Sequence, residues 1–175
     1  MPDPAPAPGS TDPSPVTDPT DPVGPLLTVL GEAVIDLVPH GEPGGYRARP
    51  CGSPFNVAVG LARLGHRTAL MARLADNAFG RQLRAYGARE GLDLTPAPHA
   101  AEPTTLAVIS LDEQARAEYD FYLDGTADWQ WTAAEAARVP ADTAVCTSAP
   151  SPRGPRPAPI TSTPLRPRAT PKTGS

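Results

Sequence analysis

Short apolar runs alternate with amphipathic segments along the middle of the chain, between Leu26 and Val145. Five runs have the apolar and β-branched content of strands, and three segments have the wider apolar spacing that favours helices. A helix between early strands is typical of βαβ units, so the pattern predicts an α/β fold. The strand-like runs are LLTVLG, AVIDLVP, TALMARL, TTLAVISL and EYDFYL, and the helical segments are PFNVAVGLARL, NAFGRQLRAYGAREG and TAAEAARV.

The first helical segment follows a loop of small residues in PCGSPFNVAVGLARLG, from Pro50 to Gly65. Ser53 suits the N-cap position, and Pro54 suits the first helical position because its φ is preset and its missing N–H is not needed there. Gly65 predicts the C-terminal end of the helix. Apolar residues at i, i+4 and i+7 predict the buried face: Val57, Leu61 and Leu64.

The same loop has the residue types of a small-molecule site. Gly52 and Ser53 allow the backbone to approach a ligand closely, because little or no side chain stands in the way. Asn56 places a polar amide in the first helical turn, where it can both donate to and accept from a hydroxyl group. These residues predict contact with a hydroxyl-rich ligand.

This segment resembles the N-terminal signature of the PfkB (ribokinase-like) carbohydrate kinases, in which a Gly-Gly pair, a short spacer and an Asn open the helix that faces the sugar. Upstream, VLGEAVIDLVP resembles the family's first strand with its Gly-Glu and its sugar-facing Asp, here Asp36. Downstream, RLADNAFGRQL resembles the family's Gly-Asp-Asp-x-Phe-Gly. The residues Asp76, Phe79 and Gly80 match it, whereas Ala75 and Asn77 depart from it.

A fourth segment, PTTLAVISLDEQARAEYDFYLDGTADWQW, resembles the paired strands and the Tyr/Phe-rich segment of fructokinase-like members. The resemblance implies a ribokinase-like three-layer α/β/α fold with a small β lid, of which residues 26–145 cover the N-terminal part. It further implies a substrate site for a sugar, made by Asp36, Gly52, Ser53, Asn56, Asp76 and Phe121.

Each of these assignments has a structural alternative. In these alternatives, Asp36 is a buried turn-former and Asn56 is an ordinary first-turn residue. Asp76 is the N-cap of the helix that starts near Ala78. The rings of Phe121 and Tyr122 are core residues.

One departure lies at the centre of the signature, because the first Gly of the family's pair is Cys51 here. In the family that pair is a hinge for the sugar lid, and a Cβ restricts the positive φ values open to glycine. Lid closure or substrate positioning is therefore expected to be impaired. A reactive thiol is the alternative interpretation of Cys51, although no neighbouring feature in the sequence would lower its pKa.

The resemblance implies an ATP- and Mg²⁺-dependent transfer of a phosphoryl group to a sugar hydroxyl. The family's catalytic base is an Asp in a late Gly-Ala-Gly-Asp segment, and these 175 residues contain no such segment. We therefore expect no catalytic residue in this chain, no bound ATP or Mg²⁺, and no turnover. The alternatives are a non-catalytic sugar-binding or lid-dimerisation module, and a nucleoside in place of a fructose-like sugar. A homodimer through the lid strands is a further expectation.

Composition narrows the partners and the compartment. The chain has a formal net charge of −4, two cysteines at unrelated positions and three scattered histidines, so the sequence predicts neither a disulfide framework nor a metal site. It has no apolar run of membrane-spanning length and no signal-peptide layout at its start. We expect a cytoplasmic protein that binds neither membrane nor nucleic acid.

Both ends of the chain are proline-rich. Residues 1–25 hold nine prolines and almost no large apolar side chain, so they predict a disordered Pro/Asp-rich tail. Residues 146–175 hold eight prolines, four arginines and no acidic residue, and they predict a disordered Pro/Arg-rich tail. A genuine basic tail would suit nucleic acid or a proline-recognising domain.

A frameshift is the favoured explanation of the second tail. Family members resembling this chain continue after this strand with a sequence such as VLHLGSLASW. A synonymous coding of LHLGSLASW, CTG CAC CTC GGC TCC CTC GCC TCG TGG, encodes Cys-Thr-Ser-Ala-Pro-Ser-Pro-Arg-Gly when it is read one base later. That is the sequence of residues 146–154.

Overall fold

The computed structural model describes residues 23–114 and 116–148. These residues form strands and helices in mixed order, which confirms the α/β prediction, together with a one-turn 3₁₀ helix at Ala127–Trp129. The elements are β1 (Val23–Leu30), β2 (Val34–Pro39), β3 (Tyr46–Cys51), α1 (Ser53–Arg63), β4 (His66–Met71), β5 (Leu74–Ala75), α2 (Ala78–Arg89), β6 (His99–Ala100), β7 (Leu106–Leu111), β8 (Ala117–Tyr122), α3 (Ala133–Ala136) and β9 (Thr143–Ser148).

The central sheet is parallel and has the order β4-β1-β9. Its middle strand, β1, is apolar along most of its length because strands of a parallel sheet are covered on both faces. The helix α1 packs against β4 and β1. The pairing of Leu30 with Ser148 carries β9 three residues past Val145, and β1 begins at Val23. Regular structure therefore extends slightly beyond residues 26–145, and the rest of the two tails lies outside the described residues.

The second sheet is the predicted lid. Two antiparallel hairpins, β2–β3 and β7–β8, are joined by parallel pairing of β2 with β7 to give the order β3-β2-β7-β8. The strands β2 and β7 enter this sheet from the protein core, where Ile35 and Ala107 are almost completely buried. The opposite end of the sheet and the strand β8 are exposed to solvent.

The buried face of α1 differs from the one predicted. Phe55, Ala58 and Val59 are buried, whereas Val57 is 46% exposed and Leu64 is 76% exposed. The helix carries two overlapping apolar stripes, and the stripe with the large aromatic ring faces the sheet because it buries more area. Gly65, at φ +84°, follows the helix as predicted. The N-cap residue is Gly52 rather than Ser53, which is the first helical residue.

The core lies between the central sheet and the helices. Phe55, Ile35, Leu70, Leu74 and Leu83 are its large buried members. The helix α2 contacts β5 and the base of the lid strands β2 and β3. Within the described residues, no helix has the length and apolar character needed to cross a membrane.

Candidate functional site

The loop before α1 is held in a conformation that suits glycine. Gly52 has φ +115°, and a Cβ placed on it would lie 2.7 Å from the carbonyl oxygen of Glu32 and 3.2 Å from Cα of Ala33. The carbonyl of Gly52 accepts a hydrogen bond from the backbone N–H of Asn56 at 2.8 Å, which starts the helix. Gly52 therefore permits both the sharp turn and the close approach of two backbone segments.

Asp36 and Asn56 meet on either side of Cys51. Val34 is paired with Cys51 in the lid, so Asp36, two residues along β2, shares that face of the sheet. The Asn56 amide donates from Nδ2 to Cys51 Sγ at 3.6 Å. Ser53 and Asn56 are exposed, and Asp36 is half-buried. The structure thus brings together four predicted site residues, Asp36, Gly52, Ser53 and Asn56, at the base of the lid.

The thiol of Cys51 is held in its neutral form. Burial raises the pKa of Cys51, and the neighbouring Asp36 carboxylate raises it further, against smaller opposing effects of the Gly52 backbone and the Asn56 amide. A thiolate is the reactive species, so a raised pKa disfavours the reactive-thiol interpretation. Cys51 is a free thiol. Its sulfur accepts a hydrogen bond from Asn56 and interacts with the Asp36 carboxylate.

Phe121 lies in one row with Asp36 across the lid. Asp36 pairs with Ala107, which pairs with Phe121 on β8, so the side chains share one face. Two strand spacings of about 4.8 Å separate the backbones of Asp36 and Phe121. The Phe121 ring is 60% exposed and stacks on Tyr119, with centroids 6.0 Å apart. Tyr122 is 61% exposed on the other face, so a core role is wrong for both rings.

Asp76 has a different environment. Its Oδ1 lies 2.6 Å from Nδ1 of His99, and its side chain is 63% exposed. The N-cap of α2 is Asn77, whose side-chain oxygen accepts hydrogen bonds from Gly80 N at 2.9 Å and from Thr104 Oγ1 at 2.8 Å. The helix begins at Ala78 as predicted, but the alternative in which Asp76 is its N-cap is wrong, because Asn77 occupies that position. The described side-chain contact of Asp76 is therefore with His99 on β6.

A buried carboxyl group behind this site escaped the sequence analysis. Asp128 is 5% exposed, and its Oδ1 accepts a hydrogen bond of 3.0 Å from the backbone N–H of Ala33. Burial raises the pKa of Asp128 to about 7. Nearby, Arg73 is 7% exposed and pairs with Glu102 and Glu135, each at 3.2 Å. No local pattern in Thr-Ala-Asp-Trp distinguishes Asp128 from an exposed loop carboxylate.

The geometry supports recognition of a polar ligand. Asp36 offers two acceptor oxygens, and Asn56 offers a donor and an acceptor. The first turn of α1, in which Ser53 and Asn56 are exposed, brings a positive helix terminus to the same place. Residues 23–114 and 116–148 contain no group of three or more His, Cys, Asp or Glu side chains that could hold a metal ion. Metal ligation is therefore not assigned to any of them.

Comparison with known proteins places these features in a wider setting. The family model described as pfkB family carbohydrate kinase matches residues 25–153. A fructokinase from Klebsiella pneumoniae is 41% identical over 103 residues, which are 58% of this chain and 33% of the relative. The chain thus spans about a third of the length of the curated relatives it matches.

Solved structures agree in fold. A fructokinase from Xylella fastidiosa with bound ATP has a TM-score of 0.59 and 28% identity, covering 63% of this chain and 34% of that one. An aminoimidazole riboside kinase from Salmonella enterica, complexed with aminoimidazole riboside and an ATP analogue, has a TM-score of 0.51 and 28% identity. The match covers 59% of this chain and 32% of the riboside kinase chain. The ribokinase-like architecture expected from the sequence is confirmed.

Proposed function

Because the chain belongs to the pfkB family of carbohydrate kinases, we propose that it forms the sugar-binding side of a kinase acting on a fructose-like sugar. One observation carries this proposal. Asp36 and Asn56, from separate elements, meet around Cys51 beside the start of α1, and one of them is a carboxylate on an open sheet face. Vicinal hydroxyl groups are the ligand chemistry that such an acceptor and amide recognise together.

Each residue has a distinct part in the proposed site. Asp36 accepts hydrogen bonds from two neighbouring hydroxyls, and Asn56 bridges a third. Gly52 and Ser53 let the loop approach the ring, because Gly52 has no side chain and Ser53 is small and exposed. Phe121 stands in the Asp36 row and covers an apolar face of the sugar. Asp76 is retained as a candidate, on the strength of its exposed carboxylate alone.

The phosphoryl donor for the family reaction is ATP, with Mg²⁺ as the proposed counter-ion for its phosphates. Transfer to a hydroxyl requires a base for the hydroxyl proton and donors for the moving charge. We propose that the present 175 residues supply neither the base nor these donors, since they contain no Gly-Ala-Gly-Asp segment. The expected result is no fructose-dependent release of ADP from ATP and Mg²⁺ by the purified chain. Turnover above that of a blank would contradict this part of the proposal.

The sugar-binding proposal is tested by calorimetric titration of the purified chain with D-fructose. Asp36→Ala is expected to abolish the binding heat, because it removes the central acceptor. Asp120→Ala is the matched control, since Asp120 is an exposed carboxylate on the opposite face of the same lid. Equal binding by the two variants, or no binding by the parent chain with a folded circular dichroism spectrum, would contradict the proposal.

A nucleoside is the second candidate substrate. The similarity to the aminoimidazole riboside kinase favours it, because the riboside bound to that protein contains a ribose. A ribose also presents vicinal hydroxyls to a carboxylate such as Asp36. Parallel titrations with adenosine and fructose separate the two candidates, and the tighter ligand identifies the class.

We further propose that the lid pairs with the lid of a second copy. Leu111, Tyr119 and Phe121 lie on the face of the lid that bears Asp36, and they are 53–60% exposed. A second copy would cover this apolar face and would enclose the sugar site. Light scattering after size exclusion is expected to show a dimer that Tyr119→Lys converts to a monomer. A monomeric parent chain would contradict the proposed dimer.

The free thiol of Cys51 supports the proposed cytoplasmic location, and neither membrane nor nucleic acid is a proposed partner.

A further inference from the structure

The peptide unit between Glu32 and Ala33 lies between two contacts. On one side, the carbonyl oxygen of Glu32 faces Gly52 so closely that a Cβ there would meet it at 2.7 Å. On the other side, the N–H of Ala33 donates to Oδ1 of Asp128 at 3.0 Å. The two groups of a trans peptide point in opposite directions, so Asp128 and Gly52 contact one rigid plane from its two edges.

Asp128 is itself fixed to the place where the lid strands leave the core. The N–H of Ala127 donates to the carbonyl of Pro103 at 2.9 Å, and Arg73 Nη1 donates to the carbonyl of Ala127 at 3.0 Å. The Thr126 hydroxyl lies 2.7 Å from that of Thr105. The carbonyl of Thr105 in turn accepts from Ile35 N at 3.0 Å. The 3₁₀ turn therefore connects the start of β2 with the start of β7.

We propose that Asp128 is a positioning residue for the sugar-binding loop, acting through the Glu32–Ala33 peptide on Gly52 and hence on Asn56. Asp128 accepts a hydrogen bond from the N–H of Ala33, and Glu32 and Ala33 lie close enough to Gly52 to leave no room for a Cβ there. Gly52 accepts the backbone hydrogen bond of Asn56 at 2.8 Å. A shift of the peptide plane toward Gly52 is expected to move it, because the gap between the two backbone segments is too small for even a Cβ. The link of this residue to sugar rests on the proposed function, whereas its link to the loop does not.

The charge state of Asp128 gives a way to observe this connection. Its Oδ2 is buried without a hydrogen-bond partner among the described residues, so ionisation leaves a charge that water does not reach. Burial raises the pKa of Asp128 most, and the Glu32 carboxylate adds to it. The Thr105 hydroxyl, the Ala33 N–H and Arg73 act in the opposite direction. The charge of Arg73 is shared with Glu102 and Glu135, which pair with it.

The test follows backbone amides by nuclear magnetic resonance in the ¹⁵N-labelled full chain between pH 5 and 9. We expect the Ala33 amide signal to titrate with a midpoint near 7, and the Gly52 and Asn56 signals to follow with the same midpoint. Asp128→Asn keeps an acceptor oxygen and cannot ionise, so all three movements should disappear. Asp124→Asn, an exposed carboxylate in the same loop region, should leave them unchanged.

Asp128→Ala supplies a second measurement, because it removes the acceptor. It should displace the Gly52 and Asn56 signals and speed exchange of the Ala33 amide, while the signals of the β4 core at Leu70 stay in place. Should this variant not fold, the titration of the parent chain decides alone. The proposal is overturned if Ala33 titrates and Gly52 and Asn56 do not, or if their titration survives Asp128→Asn. Fructose titration of the parent chain tests the proposed function separately.

Discussion

The side-chain amide of Asn56 donates a hydrogen bond to Sγ of Cys51 over 3.6 Å. That contact occupies one of the two N–H donors of the amide, which would otherwise be available to a sugar hydroxyl. Replacement by Cys51→Gly restores the Gly-Gly pair that the family pattern has at this place and releases the amide. We expect fructose affinity to rise by about fivefold, since a neutral hydrogen bond contributes about 1 kcal/mol. Calorimetric titration measures the change.

Cys51→Ser is the control for this experiment. It keeps a Cβ and an acceptor of similar size, so Asn56 remains engaged and the affinity should stay close to that of the parent chain. If Cys51→Gly binds fructose no better than Cys51→Ser, the thiol does not compete with the ligand for Asn56.

Gly52 should be among the least replaceable residues of the chain. Gly52→Ala places a Cβ 2.7 Å from the Glu32 carbonyl at φ +115°. We expect a loss of about 1–3 kcal/mol in the free energy of unfolding, the usual cost of a strained backbone position. Gly60→Ala is the matched control, because nothing lies within 4 Å of its added Cβ in the middle of α1. It should gain about 0.5–1 kcal/mol. Urea unfolding followed by circular dichroism measures both, and similar values would contradict the strain argument.

The elements were predictable from sequence because their signals are local. Alternating apolar runs gave β2, β7 and β8, and Gly65 marked the end of α1. The buried face of α1 was not predictable, since Val57 and Leu64 are as apolar as the residues that face the sheet. Which stripe becomes buried depends on the position of β1 and β4, which is a tertiary property. The N-cap of α2 is Asn77 and not Asp76, and residue type alone does not separate the two, because Asn and Asp have similar N-cap preferences.

The meeting of Asp36 and Asn56 came from resemblance to a family rather than from spacing. Neither residue spacing nor the family resemblance identified Asp128. Its importance comes from contact with Ala33, 95 residues away along the chain. Arg73 belongs to the same class, because its partners Glu102 and Glu135 lie on two later segments. Long-range pairing leaves no pattern in the neighbouring residues.

The two exposed rings at the end of β8 allow a test of the lid face. Phe121 and Tyr122 are 60% and 61% exposed, but only Phe121 shares a face with Asp36. Phe121→Ala should weaken fructose binding by about 0.5–1.5 kcal/mol in binding free energy, in the range of a ring contact. Tyr122→Ala should leave it unchanged. Equal effects of the two replacements in the same titration would remove Phe121 from the site.

The proposed frameshift is tested at the level of DNA. Re-sequencing across the codons of Val145 and Cys146 should show that the alternative frame encodes a sequence such as LHLGSLASW, and later a Gly-Ala-Gly-Asp segment. A Gly-Ala-Gly-Asp segment is expected in that frame because phosphoryl transfer needs a base and an anion site, which this segment supplies in the family. An alternative frame that closes at once would make the Pro/Arg-rich sequence genuine and would favour the non-catalytic sugar-binding module.

Asp128 should make the stability of the chain depend on pH in the direction opposite to most carboxylates. Its pKa is raised to about 7 in the folded protein, above the ordinary value of 3.8. The folded state therefore holds its proton between these two values while the unfolded state has lost it. The stabilising contribution of protonated Asp128 is present in full below pH 4 and is lost as the pH rises through 7.

Other carboxylates have their own pH dependence, among them Glu135, whose pKa is lowered by Thr132 and Arg73 against a desolvation effect that opposes them. The comparison with Asp128→Asn isolates one group, because the amide does not ionise. We expect the difference in unfolding free energy to shift in favour of Asp128→Asn by a few kcal/mol between pH 5 and pH 8. Urea unfolding of both proteins at each pH measures it. A difference that stays constant with pH would mean that Asp128 ionises equally in the folded and unfolded chains, and its burial would then carry no electrostatic cost.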